Sequence, residues 1–83
     1  MKPQHINIEL GEIVKSLGYK IRKDTGNFRS NNCIIKEEKV IVLNKFATIE
    51  SHNRTLAKAI NQEDVVGIFI KPVIREFLDS EEK

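Results

Sequence analysis

Two short apolar runs separated by a charged break stand at the centre of the chain. Cys33-Ile34-Ile35 and Val40-Ile41-Val42-Leu43 are rich in β-branched residues, which pack well on a pleated surface. Residues 36–39 between them are all charged, so we predict an antiparallel hairpin that turns there. Its register sets Ile35 opposite Val40, Ile34 opposite Ile41 and Cys33 opposite Val42. Because neither run alternates with polar residues, both faces of the hairpin are apolar, which is typical of strands covered on both sides.

Ahead of the hairpin, the pattern predicts one helix and one strand. Apolar residues recur at three- and four-residue spacing over residues 5–17, which places them on one helical face. Gly11 weakens the middle of this helix by about 1 kcal/mol relative to alanine, and Gly18 follows where a helix-ending glycine belongs. Residues 19–24 then alternate, as a half-buried strand does, with Tyr19, Ile21 and Lys23 on one face and Lys20, Arg22 and Asp24 on the other. Residues 24–27 have turn chemistry, and residues 28–32 lead into the hairpin.

After the hairpin, the sequence predicts two helices joined by a segment that is hard to assign. Thr48 suits the N-cap of a helix that continues to about Asn61, although Asn53 interrupts its apolar stripe. Residues 62–71 are compatible with a strand, an extended connector or a buried helix. Pro72 disfavours helix at the residue before it and suits the first position of a helix, so we place the last helix at 72–80. Its apolar face is formed by Val73, Ile74, Phe77 and Leu78, and residues 79–83 are expected to form a frayed tail.

The predicted architecture is an α+β domain with the element order α-β-β-β-α-α. We expect one domain over residues 1–83, in which a three-stranded antiparallel β-meander, with residues 30–36 in the middle, packs with about three helices. A chain of this size buries only about 60% of the surface that its unfolded form exposes. If the helices covered one face alone, apolar side chains on the other face would contact water. We therefore expect either helices on both faces or a homodimer.

The composition excludes several classes of protein and of site, but it does not indicate a function. The chain is 40% hydrophobic and 31% charged, as in ordinary soluble proteins, and its net charge of +2 is too small to indicate nucleic-acid binding by itself. Its single cysteine excludes an internal disulfide and a cysteine-based zinc site, and fits a reducing cytoplasm. No apolar run approaches the roughly 18 residues that span a bilayer, and the first residues lack the apolar region of a signal peptide. We expect a cytoplasmic protein without a membrane anchor.

Candidate chemistry is sparse, so we predict no enzymatic activity, no metal and no cofactor. His5 and His52 lie far apart in sequence, in polar contexts that predict exposure to solvent, and neither has a second ligand at helical spacing. Ser51 and Thr55 share a helix with His52, but no acidic residue on that turn completes a triad. A reactive Cys33 would need an exposed, electropositive setting, whereas its neighbours are β-branched.

One stretch resembles part of a known enzyme family. Val40-Ile41-Val42-Leu43-Asn44, followed after a gap by Arg54-Thr55-Leu56-Ala57, resembles the strand and helix start of small zinc metallopeptidases found in bacterial regulators. In that family the helix continues with a His-Glu-x-x-His motif, whereas this chain has Lys58, Ala59, Ile60, Asn61 and Gln62. The resemblance covers roughly a third of the chain. It implies a related strand–helix scaffold without peptidase activity.

The chain as a whole is similar to short uncharacterised bacterial proteins. The likeness lies in Leu17-Gly18-Tyr19-Lys20-Ile21-Arg22, Gly26-Asn27-Phe28-Arg29, Val42-Leu43-Asn44-Lys45 and Ile68-Phe69-Ile70-Lys71-Pro72-Val73-Ile74-Arg75-Glu76-Phe77-Leu78. That family has no assigned activity. The resemblance therefore implies one domain and adds no mechanism.

Basic and aromatic residues around the first turn give two candidate surfaces. Between residues 15 and 29 there are five cations and one acid, with Tyr19 and Phe28 interleaved. Such a strand face could hold phosphates and stack bases, but Tyr19 is predicted to lie on the face opposite the cations, and a solvated strand face explains the charges equally well. In the loop that follows, Phe28 is an interface anchor if it is exposed and closes the hairpin end if it is buried.

The sequence thus favours a non-enzymatic module for protein interaction or self-association. Its predicted interaction surface comprises Asn27, Phe28, Arg29, Lys20 and Arg22. Weak nucleic-acid binding through the basic strand face is the first alternative, and an inactive relative of a metallopeptidase is the second.

Overall fold

A computed structural model describes residues 1–25 and 32–81. The elements in chain order are α1 (Pro3–Ser16), β1 (Lys20–Asp24), β2 (Asn32–Ile35), β3 (Val40–Asn44), α2 (Ile49–Asn61) and α3 (Pro72–Glu81). The predicted α+β class and the order α-β-β-β-α-α are therefore confirmed. The helix α3 continues to residue 81, so part of the segment predicted to be a frayed tail is helical. Within the two described ranges, no helix combines the length and the apolarity needed to cross a lipid bilayer.

The sheet is mixed, and its middle strand is β3. The strands β2 and β3 form the predicted antiparallel hairpin, and its register is confirmed in all three expected pairs. The strand β1, however, lies parallel to β3 on the opposite side, which gives the order β1-β3-β2. The predicted antiparallel meander with residues 30–36 in the middle is therefore wrong. The physical reason is that β3 has the longest apolar run, and Ile41, Val42 and Leu43 are all buried there, as suits a strand with neighbours on both sides.

The ends of the first two helices follow their local sequence signals. Gly18 has a φ of +93°, a backbone conformation that glycine adopts without steric cost, and its N–H donates to the carbonyl of Lys15 at the end of α1. At the start of α2, the Thr48 hydroxyl oxygen accepts a hydrogen bond from the backbone N–H of Ser51 at 3.1 Å. The predicted N-cap is thus confirmed.

The helices pack on one face of the sheet. Ile41 and Leu43 of β3 belong to the same hydrophobic core as Leu10 of α1, Leu56 of α2 and Ile74 of α3. Val42 lies between them in the strand and so points to the opposite face, where its neighbours in register are Arg22 and Cys33. We call this the open face because no helix of the described residues packs on it; Val42 is nevertheless buried there, and Cys33, Ile35 and Val40 are half-buried.

Residues 62–71 form an irregular connector between α2 and α3, which decides among the three predicted possibilities. Ile70 is buried, and Val65 and Ile68 pack against the core. Pro72 then occupies the first position of α3, as predicted. Of the predicted apolar face of α3, Ile74 and Leu78 are buried, Phe77 packs against the core from its periphery, and Val73 is exposed.

Asn53 is a buried polar residue that joins α2 to α1. It is only 2% exposed, although the sequence pattern treats it as an interruption of the apolar stripe. Its side-chain amide donates to the carbonyl of Pro3 at 3.0 Å, and its side-chain oxygen accepts from the amide of Asn7 at 3.0 Å. Both polar ends of Asn53 are therefore satisfied, which is the condition for burying such a group at low cost.

Candidate functional site

The structure describes two of the five residues predicted to form an interaction surface. Lys20 and Arg22 are exposed on β1, on the open face of the sheet. Asn27, Phe28 and Arg29 lie outside the described residues, so their role stays a prediction. The structure therefore places two of the three basic residues of the predicted surface on the same face of one strand.

A polar network joins the beginning of β2 to the first turns of α2. The side-chain amide of Asn32 donates to the Thr55 hydroxyl at 2.8 Å and to the Ser51 hydroxyl at 3.2 Å. Its side-chain oxygen accepts from the backbone N–H of Asn44 at 2.8 Å. Because the hydroxyls of Ser51 and Thr55 both accept a hydrogen bond from Asn32, they hold β2 against α2.

His52 is buried, so its predicted exposure is wrong. The residue is only 8% exposed, and its ring Nε2 lies 2.7 Å from the carbonyl oxygen of Asn44 at the end of β3. Because a carbonyl oxygen only accepts hydrogen bonds, Nε2 carries a proton and donates it. The ring therefore holds the end of β3 to α2, and Nε2 cannot act as a base toward Ser51 or Thr55.

The described residues do not assemble a metal-ligand set. Over 1–25 and 32–81, no three side chains of the types His, Cys, Asp and Glu come close enough together to hold an ion. Cys33 is a free, half-buried thiol that lies opposite Val42 in the hairpin.

Tyr19 is the centre of a second cluster, at the end of α1. It is 3% exposed, and its hydroxyl donates to a carboxylate oxygen of Glu63 at 2.8 Å. The ammonium group of Lys39 donates to the carbonyl of Leu17 at 3.0 Å and lies 5.7 Å from the centroid of the Tyr19 ring. Burial, and then the hydrogen bond and negative charge of Glu63, raise the pKa of Tyr19 above its usual value. Tyr19 thus belongs to the core and is not available to stack on a base.

A hydrogen-bonded turn in the connector presents apolar side chains to solvent. We call residues 64–69 the connector turn. The Asp64 carboxylate accepts the backbone N–H of Val66 at 2.9 Å, and the N–H of Ile68 donates to the carbonyl of Val65 at 3.0 Å. Gly67 has a φ of +93°, which allows the chain to reverse there. These bonds fix the backbone of the turn.

Val66 and Phe69 point outward from the connector turn. Val66 is 89% exposed and Phe69 is 81% exposed, whereas the neighbouring Val65 and Ile68 pack against the core. Sequence reasoning left this segment unassigned. The signal that could have identified it is an apolar run broken by a glycine and bounded by charged residues, because a turn in such a run must expose some of its apolar side chains.

Comparisons of the chain with protein-family models, with curated proteins and with solved structures gave no match in any of the three. The two resemblances drawn from the sequence therefore stay predictions.

Proposed function

We propose that this chain is a non-enzymatic interaction module that associates with a second copy of itself through the connector turn. The proposal is carried by one observation: Val66 and Phe69 are almost wholly exposed on a turn whose backbone is hydrogen-bonded. Neighbouring apolar side chains that are exposed together can mark an interaction surface, and aromatic residues are common anchors at interfaces.

The fixed backbone of the turn favours binding. Two inward-facing residues of the turn, Val65 and Ile68, pack on the core, and Ile70 just beyond it is buried. A partner would therefore meet Phe69 on a backbone that is already ordered. Pre-ordering lowers the conformational entropy lost on association, so more of the gain from burying apolar surface remains as affinity.

The charges beside Phe69 suit a two-fold contact between identical copies. Phe69 lines a small cleft of about 140 Å³ together with Glu9 and Lys71, and these two side chains form an ion pair at 2.9 Å. In a two-fold interface the same surface meets itself, so it must be self-complementary. A patch with an apolar anchor and one charge of each sign meets this requirement, because a rotated copy can set Lys71 near the partner's carboxylate.

The experiment is sedimentation velocity, or light scattering, over a range of protein concentrations. We expect a mass that rises from monomer to dimer. Phe69→Ser removes the anchor from both copies at once. Since burial of one large apolar side chain contributes about 1.5–3 kcal/mol, the dissociation constant should rise by at least about 100-fold.

Phe46 provides a matched control. It is 80% exposed, but it follows β3 and does not belong to the connector turn. Phe46→Ser should therefore leave the dimer unchanged. A wild-type protein that stays monomeric at the highest concentration, or an equal effect of the two substitutions, contradicts the proposal.

A further inference from the structure

The outer edge of β1 has no strand partner in the part of the chain that the structure describes. The N–H of Lys20 and the carbonyl of Asp24 form hydrogen bonds of 2.9 Å to the residues that flank β3. In a parallel pair, every second residue directs its polar backbone groups toward the neighbouring strand. Ile21 and Lys23 therefore direct their N–H and carbonyl groups away from β3. An edge of this kind is a template for an added strand.

A groove of about 430 Å³ lies between α1 and this edge. Ile21, Leu43 and Leu56 give it an apolar floor, and Ile8 and Gly11 line it from α1. A Cβ atom built on Gly11 would meet no atom within 4 Å, so packing does not require a glycine there. The absence of a side chain at this position keeps the groove open, and Ile8 beside it is 58% exposed.

Positive charge predominates around the groove and along the edge. Lys15 and Lys23 line the groove with one acid, Glu12. Lys20 and Arg22 are exposed on the same strand, and Arg22 has a carboxylate neighbour 3.9 Å away. Four cations against two carboxylates favour an anionic partner.

The same charges oppose a second copy of β1 as the added strand. In an antiparallel self-pairing centred on Arg22, two arginines face each other. A register centred on Ile21 sets Lys20 opposite Arg22, and one centred on Lys23 sets two lysines opposite each other. Like charges directly opposite each other destabilise a strand pair.

Nucleic acid also fits this surface less well than a peptide does. Single-stranded nucleic acid is held by cations together with aromatic side chains on which bases stack. Tyr19, which directly precedes the basic strand, is 3% exposed, and the exposed Phe46 lies beyond the acidic end of that strand, after Asn44, which pairs with Asp24. An unpaired strand edge, in contrast, offers backbone hydrogen bonds that only another polypeptide backbone matches in register.

We propose that β1 and the adjoining groove bind an extended acidic segment of a partner protein as a fourth strand. The backbone groups of Ile21 and Lys23 hydrogen-bond to the added strand. Its apolar side chains enter the groove over Ile21 beside Gly11, and its carboxylates meet the cations of β1. This surface is separate from the connector turn, so it does not depend on self-association.

The test is a titration of the isotope-labelled protein with a short synthetic peptide of alternating glutamate and valine, followed by amide NMR. We expect the largest shifts at the amides of Ile21 and Lys23 and in the middle of α1. A peptide with lysine in place of glutamate should bind at least about tenfold more weakly, which corresponds to about 1.4 kcal/mol. A peptide methylated on alternate backbone nitrogens should lose binding, because it cannot complete the added ladder.

Two substitutions at Gly11 distinguish peptide binding in the groove from general attraction to the positive charge of the surface. Gly11→Leu fills the groove with a good helix former and should weaken peptide binding at least about tenfold, whereas Gly11→Ala should retain binding. The amide spectrum reports directly whether each variant is folded. The proposal is overturned if the Ile21 and Lys23 amides do not shift, if the methylated peptide binds equally well, or if single-stranded oligonucleotide binds the same edge more tightly than the acidic peptide.

Discussion

Two glycines at α1 should respond in opposite directions to the same substitution by alanine. Gly11 lies inside the helix, where a Cβ would meet nothing within 4 Å. Gly18 follows the helix with a φ of +93°, where a Cβ would touch the Lys39 side chain at an ordinary 3.6 Å. Alanine at position 11 thus gains helix propensity without a clash, and alanine at position 18 suffers backbone strain without a clash.

The magnitudes follow from these two environments. Gly11→Ala should raise the free energy of unfolding by about 0.5–1 kcal/mol, because glycine is the less favourable residue inside a helix. Gly18→Ala should lower it by roughly 1–2 kcal/mol, which is the cost of a left-handed conformation for a residue with a Cβ atom. In a domain of this size, 1 kcal/mol shifts the melting temperature by about 4–8 °C.

Far-ultraviolet circular dichroism during urea and thermal unfolding measures both changes, since the chain has no tryptophan and a single tyrosine. Gly18→Asn is the control, because asparagine tolerates positive φ and should lose less stability than alanine at the same position. Destabilisation by Gly11→Ala would show that the helix needs glycine there. The argument that this residue leaves room in the groove would then fail.

Two further predictions concern buried polar groups. Asn53→Ala removes hydrogen bonds to Asn7 and to a backbone carbonyl of α1, and should lower the free energy of unfolding by about 2 kcal/mol in urea denaturation. As a control, Arg54→Ala at the exposed neighbouring position should change it by less than about 0.5 kcal/mol. Similar losses in both variants would contradict this prediction. The pKa of Tyr19 is raised in the folded state, so folding favours the protonated hydroxyl. This contribution to stability is fully present below the unfolded-state pKa of about 10, and it is lost as the pH rises through the pKa of the folded state. Alkaline unfolding curves should therefore fall less steeply above pH ~10 for Tyr19→Phe than for the wild type, and parallel curves would refute the assignment.

Local signals were sufficient to predict the hairpin and one end of each helix. The register of β2 on β3 follows from two apolar runs and the charged turn between them. The helix ends are marked by the backbone or side-chain chemistry of single residues: Gly18 after α1, Thr48 before α2 and Pro72 at the start of α3. Strand order is not encoded in this way, because the position of β1 depends on which neighbour buries more apolar surface. The longer apolar run of β3 is the sequence feature that distinguishes it from β2 as the middle strand.

Buried polar residues were the other failure of sequence reasoning. His52 is predicted to be exposed and its neighbour Asn53 to interrupt the apolar stripe of α2, yet both are buried. Their partners are Asn7, the carbonyl of Pro3 and the carbonyl of Asn44, which come together only in the folded chain. A polar side chain is buried at low cost when tertiary hydrogen bonds replace its bonds to water. No local sequence pattern predicts such bonds.

The mixed strand order also changes where a partner should bind. In an antiparallel meander, the apolar run of β3 would form a sheet edge and invite pairing with a second copy. In the observed order β3 is enclosed, and one edge of the sheet belongs to β2, whose Asn32 is bonded to α2. The other edge is the cationic β1, whose self-pairing sets like charges face to face. Self-association through the β1 edge is thus disfavoured, while Val66 and Phe69 remain exposed elsewhere. This separation is why we assign the second copy to the connector turn and an acidic segment to β1.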